Sequence, residues 1–225
     1  MPDPLLVLDT GSPLVSVAVG RKGKVVAERS VELGRSSARL LDMMAEVLEE
    51  AGLKPADLGG IAVLRGPGSF TGVRIGLATV LGVHQALGVP ATGLSTLEAL
   101  AASVPATEGT VIAVVDALRG DWSAQAFAAG PLPRPLGEEG LVPGPELPRL
   151  AGTGPAVVAG FGVSRLAELP GWPAGVRIVE AGPLAAAAVR LASAPGAEWD
   201  AGLLTRPIYS RPPAITPPKP RAGGL

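Results

Sequence analysis

The chain contains no cysteine, which removes disulfide staples, thiolate metal sites and cysteine nucleophiles from consideration. It has a single histidine, His84. A zinc site built on a histidine pair therefore lacks its second ligand, and serine–histidine–aspartate chemistry would have to run through His84 alone. Aromatic residues make up 3% and charged residues 17% of the 225 residues, against 47% hydrophobic. A chain of this length buries a substantial core, and here that core must be mostly alanine, valine and leucine. The formal net charge of −1 gives no global attraction to a polyanion, so any contact with nucleic acid would be local or made through a partner. The opening Met1-Pro2-Asp3-Pro4 does not lead a basic segment into an apolar one, and a cytoplasmic location is expected. Residues 75–97 carry no charge, but Gly76, Gly82, Gly88, Pro90 and Gly93 interrupt them. A membrane span needs about 20 continuous apolar residues. The stretch is read as a buried helix followed by a buried strand, with no membrane partner.

What is present reads as alternating strands and helices. The unbroken apolar run at residues 5–8 predicts a central strand covered on both faces, and Asp9-Thr10-Gly11-Ser12 is turn chemistry. Alternation at 15–19, a turn at 20–23 and a strand over 24–31 complete a three-stranded meander. A helix is expected over 36–53, with serine at its start and Gly52 near its end. Then come a strand at 61–64, a glycine-rich loop at 66–72, a helix over 73–87 and a strand at 89–94. A short helix capped by Ser95 or Thr96 follows. Near Thr110 the opening pattern recurs: an apolar strand ends in Asp116, turns, and returns as an alternating strand at 122–127. Residues 131–155, rich in proline and glycine, read as loops; 157–159 reads as a strand and 184–194 as an alanine-rich helix. The reading is an α/β protein with a first lobe over 1–103 and a smaller second lobe over 104–205. A proline-rich tail at 206–225, bearing Arg206, Arg211, Lys219 and Arg221 without an acid, is expected to be extended or disordered and to return to the first lobe.

Few residues here can carry chemistry. Asp9-Thr10-Gly11 at the end of a buried strand can hold a cation and phosphate, or be an ordinary turn with aspartate capping and glycine accommodating the bend; Asp116 repeats the position. The loop Gly66-Pro67-Gly68-Ser69-Phe70-Thr71-Gly72 exposes backbone amides before a helix start, where an anion can sit. It fits neither common phosphate-loop pattern and is followed by no lysine, so tight strand-to-helix packing is its other reading. His84 lies in an apolar helix, as a hydrogen-bonded core or interface residue does. The two long helices are apolar beyond the stripe of little more than 100° that a surface helix needs. Burial on a second side, against another subunit, accounts for the excess, as does a thick core of the chain itself.

The run from Leu64 through Gly66-Pro67-Gly68-Ser69-Phe70-Thr71-Gly72 to Thr79, followed by Gly88-Val89-Pro90 and by residues 93–101, closely resembles the signature of the bacterial TsaB (YeaZ) family. Leu8-Asp9-Thr10, Asp116-Ala117-Leu118-Arg119-Gly120 and the closing Arg206-Pro207-Ile208-Tyr209-Ser210-Arg211 are similar to further family stretches. The sequence departs from the family in having Gly34-Arg35-Ser36-Ser37 where a histidine is frequent, and Leu118 in place of an arginine. The resemblance implies an actin/hexokinase-like (ASKHA) two-lobed fold with a reduced second lobe. It implies no catalytic residue and no metal or cofactor, with Asp9, Thr10, Gly11 and Asp116 as the only weak cofactor-site candidates. It also implies a subunit of the machinery that makes threonylcarbamoyladenosine in tRNA, paired with a catalytic TsaD subunit and a TsaE ATPase, so that ATP belongs to the partners. In isolation such a subunit self-associates. The surface assigned to both pairings is Leu40, Met43, Met44 and Val47 on the first helix with Arg74, Ile75, Thr79, Gly82 and Val83 on the second. Contact with tRNA would be indirect or through the basic tail. Two other functions fit parts of the sequence. An ATP-dependent small-molecule kinase of the same superfold would need a second phosphate loop and a full second lobe, and a peptidase would need a histidine partner that the chain lacks.

Overall fold

The computed structural model describes residues 1–32, 39–105 and 109–211. The first sheet is built from β1 (Leu5–Asp9), β2 (Leu14–Arg21), β3 (Lys24–Glu32), β4 (Gly60–Leu64) and β5 (Ala91–Leu94) in the order β3-β2-β1-β4-β5. β1 pairs antiparallel with β2 and parallel with β4, and β4 pairs parallel with β5. The second sheet takes β6 (Thr110–Asp116), β7 (Asp121–Ala128), β8 (Arg134–Pro135), β9 (Gly140–Pro143), β10 (Ala156–Gly160) and β11 (Arg177–Glu180). β6 is antiparallel to β7 and parallel to β10, β10 is parallel to β11, and β8 and β9 both lie on the outer edge of β7. The two sheets thus repeat one plan, a hairpin whose first strand continues into two parallel neighbours.

The apolar runs follow from this layering. On β1, Leu5 and Val7 face a core shared by the two lobes, while Leu6 and Leu8 face the outer core of the first lobe. On β6, Val111 and Ala113 face the shared core, and Ile112 and Val114 an outer one. Side chains alternate across a strand, so a strand covered on both faces has no polar position left.

Between the sheets lie α3 (Thr96–Ser103), with Ser95 as its cap, and α4 (Ala185–Ala192). Outside the first sheet lie α1 (Leu40–Glu50) and α2 (Phe70–Leu87). At the corresponding places of the second lobe, among the described residues, there are only short 3-10 segments, Gly144–Ala151 and Ser164–Glu168. That is the physical content of a reduced second lobe. The fold is α/β of the actin/hexokinase-like (ASKHA) kind.

Two expectations are corrected, and one strand, β11, escapes the sequence reading. The stretch 131–155 is not all loop: it forms β8, β9 and the 3-10 turn around fully buried Leu147. β11, four residues between proline- and glycine-rich turns, is too short to show periodicity. The chain also returns to the first lobe before residue 206. The amide of Ala185 donates to Ser16 Oγ (3.1 Å) and that of Ala186 to Glu28 Oε1 (3.2 Å), so first-lobe side chains cap α4. The short turn Ala201–Thr205 packs on β5 and α2. The expected start of the first helix at Ser36 and the tail beyond residue 211 lie outside the described residues.

Candidate functional site

The cleft between the lobes is framed by the two strand-ending aspartates. Asp9 is fully buried. Its Oδ1 accepts from the amides of Gly11 (3.1 Å) and Ser12 (3.2 Å), while Oδ2 has no hydrogen-bond partner. Burial pushes its carboxyl up to about 6, against the smaller opposing pull of the Ser12 hydroxyl and the two turn amides. The Ser12 hydroxyl lies beside the carboxylate without reaching full hydrogen-bond geometry.

The glycine-rich loop lies directly on this turn. The Ser69 amide donates to Gly11 O (2.8 Å), and Thr10 Oγ1 donates to Gly72 O (2.8 Å). A Cβ on Gly68 would stand 2.7 Å from Gly11 O, and on Gly72 or Gly76 it would overlap the Thr10 carbonyl or hydroxyl oxygen. Ser69 caps α2 through the Gly72 amide (3.3 Å). Of the two readings of Gly66–Gly72, close packing is the one these contacts express. The loop's glycines let the start of α2 lie against the Asp9 turn.

Asp116 stands across the cleft. Its Oδ1 accepts from the Leu118 amide (2.7 Å), and its Oδ2 is paired with Arg165 Nη2 (2.6 Å). The Arg165 guanidinium also covers the Trp122 ring at 4.6 Å. The turn after Asp116 places Leu118 and Arg119 at φ of 65° and 58°, a conformation that side chains other than glycine, asparagine and aspartate seldom take. Leu118 is 71% exposed there. Between the aspartates opens a mainly apolar cavity of about 630 Å³, lined among others by Ser12, Pro67, Phe70, Leu118, Phe161 and Tyr209. Asp116 lines it, but Asp9 does not. Thr10 and Gly11 thus serve the packing of the loop, with Gly11 also forming part of the cavity wall. Among the described residues, no three His, Asp or Glu side chains lie close enough together to hold a metal ion.

His84 lies apart from the cavity lining. Its Nδ1 is 2.7 Å from Val89 O; a carbonyl only accepts, so Nδ1 carries the proton. With the Gly88 amide donating to His84 O, this closes the C-terminus of α2, where Gly88 takes φ of 68°.

The surface residues divide unevenly. Leu40, Met43, Met44 and Val47 are buried in the chain's own outer core, so their apolarity is used within the chain. α1 instead exposes Leu41, at 70%. α2 buries Gly72, Val73, Gly76, Leu77 and Val80 on one side. On the other it leaves Arg74, Ala78 and Gly82 exposed, with Ile75, Thr79 and Val83 half-buried beside them. Sequence reasoning missed Arg165, which answers Asp116 from a distant turn, and named Tyr209 in the closing stretch without its contact, a hydroxyl that accepts from Arg74 Nε (2.9 Å). No local spacing announces either contact.

Topology and cleft together define the class, a two-lobed actin/hexokinase-like protein. Residues 33–127 match the model of the family described as TsaD, tRNA N6-adenosine threonylcarbamoyltransferase. The chain is 34% identical over 117 residues to the tRNA threonylcarbamoyladenosine biosynthesis protein TsaB of Bacillus subtilis, covering 52% of this chain and 51% of that one. It is 34% identical over 119 residues to the protein of the same name from Escherichia coli, covering 52% of each. The chain thus spans about half the length of these curated relatives. The solved structure of YeaZ from Pseudomonas aeruginosa superposes with a TM-score of 0.76 at 29% identity, over 89% of this chain and 97% of that one. The component A of (R)-2-hydroxyglutaryl-CoA dehydratase from Acidaminococcus fermentans shares the fold, with a TM-score of 0.50 at 15% identity over 84% and 96% of the two chains. Over these spans the chain is similar to TsaB/YeaZ proteins in sequence and in fold. No helix among the described residues is long and apolar enough to cross a membrane.

Proposed function

We propose that this chain works in the cytoplasm as a non-catalytic partner subunit in the synthesis of threonylcarbamoyladenosine in tRNA. It docks a TsaD-type catalytic subunit, and a TsaE-type subunit handles ATP. The names of the Bacillus and Escherichia relatives support the pathway. The observation that carries the partner role is the state of the cleft carboxylates. Phosphoryl transfer needs carboxylates free to hold a metal against phosphate oxygens, whereas Asp9 is sealed from the cavity and Asp116 is committed to Arg165 and the Leu118 amide. Docking is assigned to the open face of α2 around Arg74, Ile75, Thr79, Gly82 and Val83, where exposed Ala78 and Gly82 admit a helix at close range. In isolation the same face pairs two copies of this chain, and tRNA is reached through the partner or the basic tail.

The test is reconstitution with tRNA, threonylcarbamoyl-adenylate, ATP and the TsaD- and TsaE-type subunits. Modified adenosine should be absent until this chain is added. Full modification without the chain would end the assignment.

A further inference from the structure

Residues Arg206–Arg211 lie outside every helix and strand, yet nearly every one of them is tied down. On the first lobe, the Ile208 amide donates to Arg65 O (2.8 Å) and Arg65 Nη1 donates to Arg206 O (2.7 Å). Gly66 must be glycine, since a Cβ there would overlap Ile208 O. Tyr209 stacks on Phe70 with ring centroids 4.7 Å apart, and Arg74 lies 3.7 Å over the Phe70 ring while donating to the tyrosine hydroxyl. One residue later the anchors belong to the second lobe. Ser123 Oγ donates to Ser210 Oγ (2.7 Å), and Arg211 pairs with Asp121 and donates through Nε to Ala117 O (3.1 Å). The strap crosses from lobe to lobe between Tyr209 and Ser210, and its last three residues line the cleft cavity.

We propose that Arg206–Arg211 is an interlobe latch that sets the width of the cleft. Its two ends differ in kind. The first-lobe end is held by a backbone hydrogen bond, a close backbone approach and a three-membered aromatic–guanidinium stack. The second-lobe end rests on one hydroxyl pair and one arginine whose ion pair is partly exposed, the weaker sort of contact. Opening therefore begins at the second lobe. Ser210 and Arg211 let go of the start of β7 and of the turn before it, the lobes part, and the strap stays on the first lobe. Arg211 also donates to carbonyls of the left-handed turn at Ala117 and Leu118, so the latch secures the cleft's most strained wall.

Because the chain has no native cysteine, spin labels can be placed through Lys54→Cys on the first lobe and Glu168→Cys on the second, both at exposed positions. Pulsed electron spin resonance should give one narrow interlobe distance in the otherwise unchanged chain. With Ser210→Ala and Arg211→Ala added, it should give a broader distribution extending to longer distances, with the far-ultraviolet circular dichroism retained. An unchanged distribution would overturn the latch. A second measurement does not depend on that variant folding. Ser123→Cys with Ser210→Cys, made without the labels, should close a disulfide under mild oxidation, because the native hydroxyl oxygens are 2.7 Å apart. Failure to cross-link in the folded protein would equally refute the latch.

Discussion

At the residue scale the most informative group is Asp9. A carboxylate sealed in a low-dielectric interior, with one oxygen unpartnered, is less stable than the same group in water. With its titration in the folded chain moved up to about 6, the ionised form opposes folding. The folded state binds this proton more tightly than the unfolded one, so the contribution of Asp9 to stability is most favourable in acid and falls as pH rises from about 4 through 6, then levels. Asp9→Asn keeps an oxygen to accept from Gly11 and Ser12 and removes the charge. Urea unfolding at pH 7.5 should find the variant more stable, by about 3 kcal/mol at most. The difference should vanish toward about pH 4; a gap independent of pH would mean that burial of charge is not its cause. Asp9 and Asp116 were both legible in the sequence as the ends of two similar strands. That one is sealed and the other held by Arg165 was not, because Arg165 lies 49 positions away.

At the element scale, α2 sorts its glycines by environment. Gly76 lies against Thr10 and Val63, whereas Gly82 has nothing within 4 Å of a Cβ and sits on the open face. Gly82→Ala should therefore stabilise the fold by about 0.5–1 kcal/mol through helix propensity alone. Gly76→Ala should destabilise it by about 1–3 kcal/mol, by forcing Thr10 off Gly72. Thermal unfolding of the two variants checks both signs, and a shared direction would contradict the assignment of faces. The excess apolarity of α1 and α2 was plain in the sequence, but not its use. Periodicity cannot say whether a second apolar side meets a sheet or a partner. In α1 the methionines meet the chain's own core, and in α2 glycine and alanine remain outside.

At the scale of the whole molecule, the repeat of strand, aspartate, turn and returning strand was legible because it recurs as a pattern. The return of α4 to the first lobe was not, since its caps, Ser16 and Glu28, are supplied from more than 150 residues away. The resulting molecule has a duplicated two-lobed frame in which one strand-end carboxylate is buried and the other is paired with Arg165. Its proposed work is then done by its surface. The most direct test compares two variants expected to fold in the reconstituted modification reaction. Asp9→Asn changes only the buried cleft residue, and Gly82→Glu places a charge on the open face of α2 without an internal clash. Modified adenosine should form at the unaltered rate with Asp9→Asn and fall at least tenfold with Gly82→Glu, together with loss of the complex with the TsaD-type subunit. Loss of activity with Asp9→Asn and full activity with Gly82→Glu would contradict a partner role and return the chemistry to the cleft.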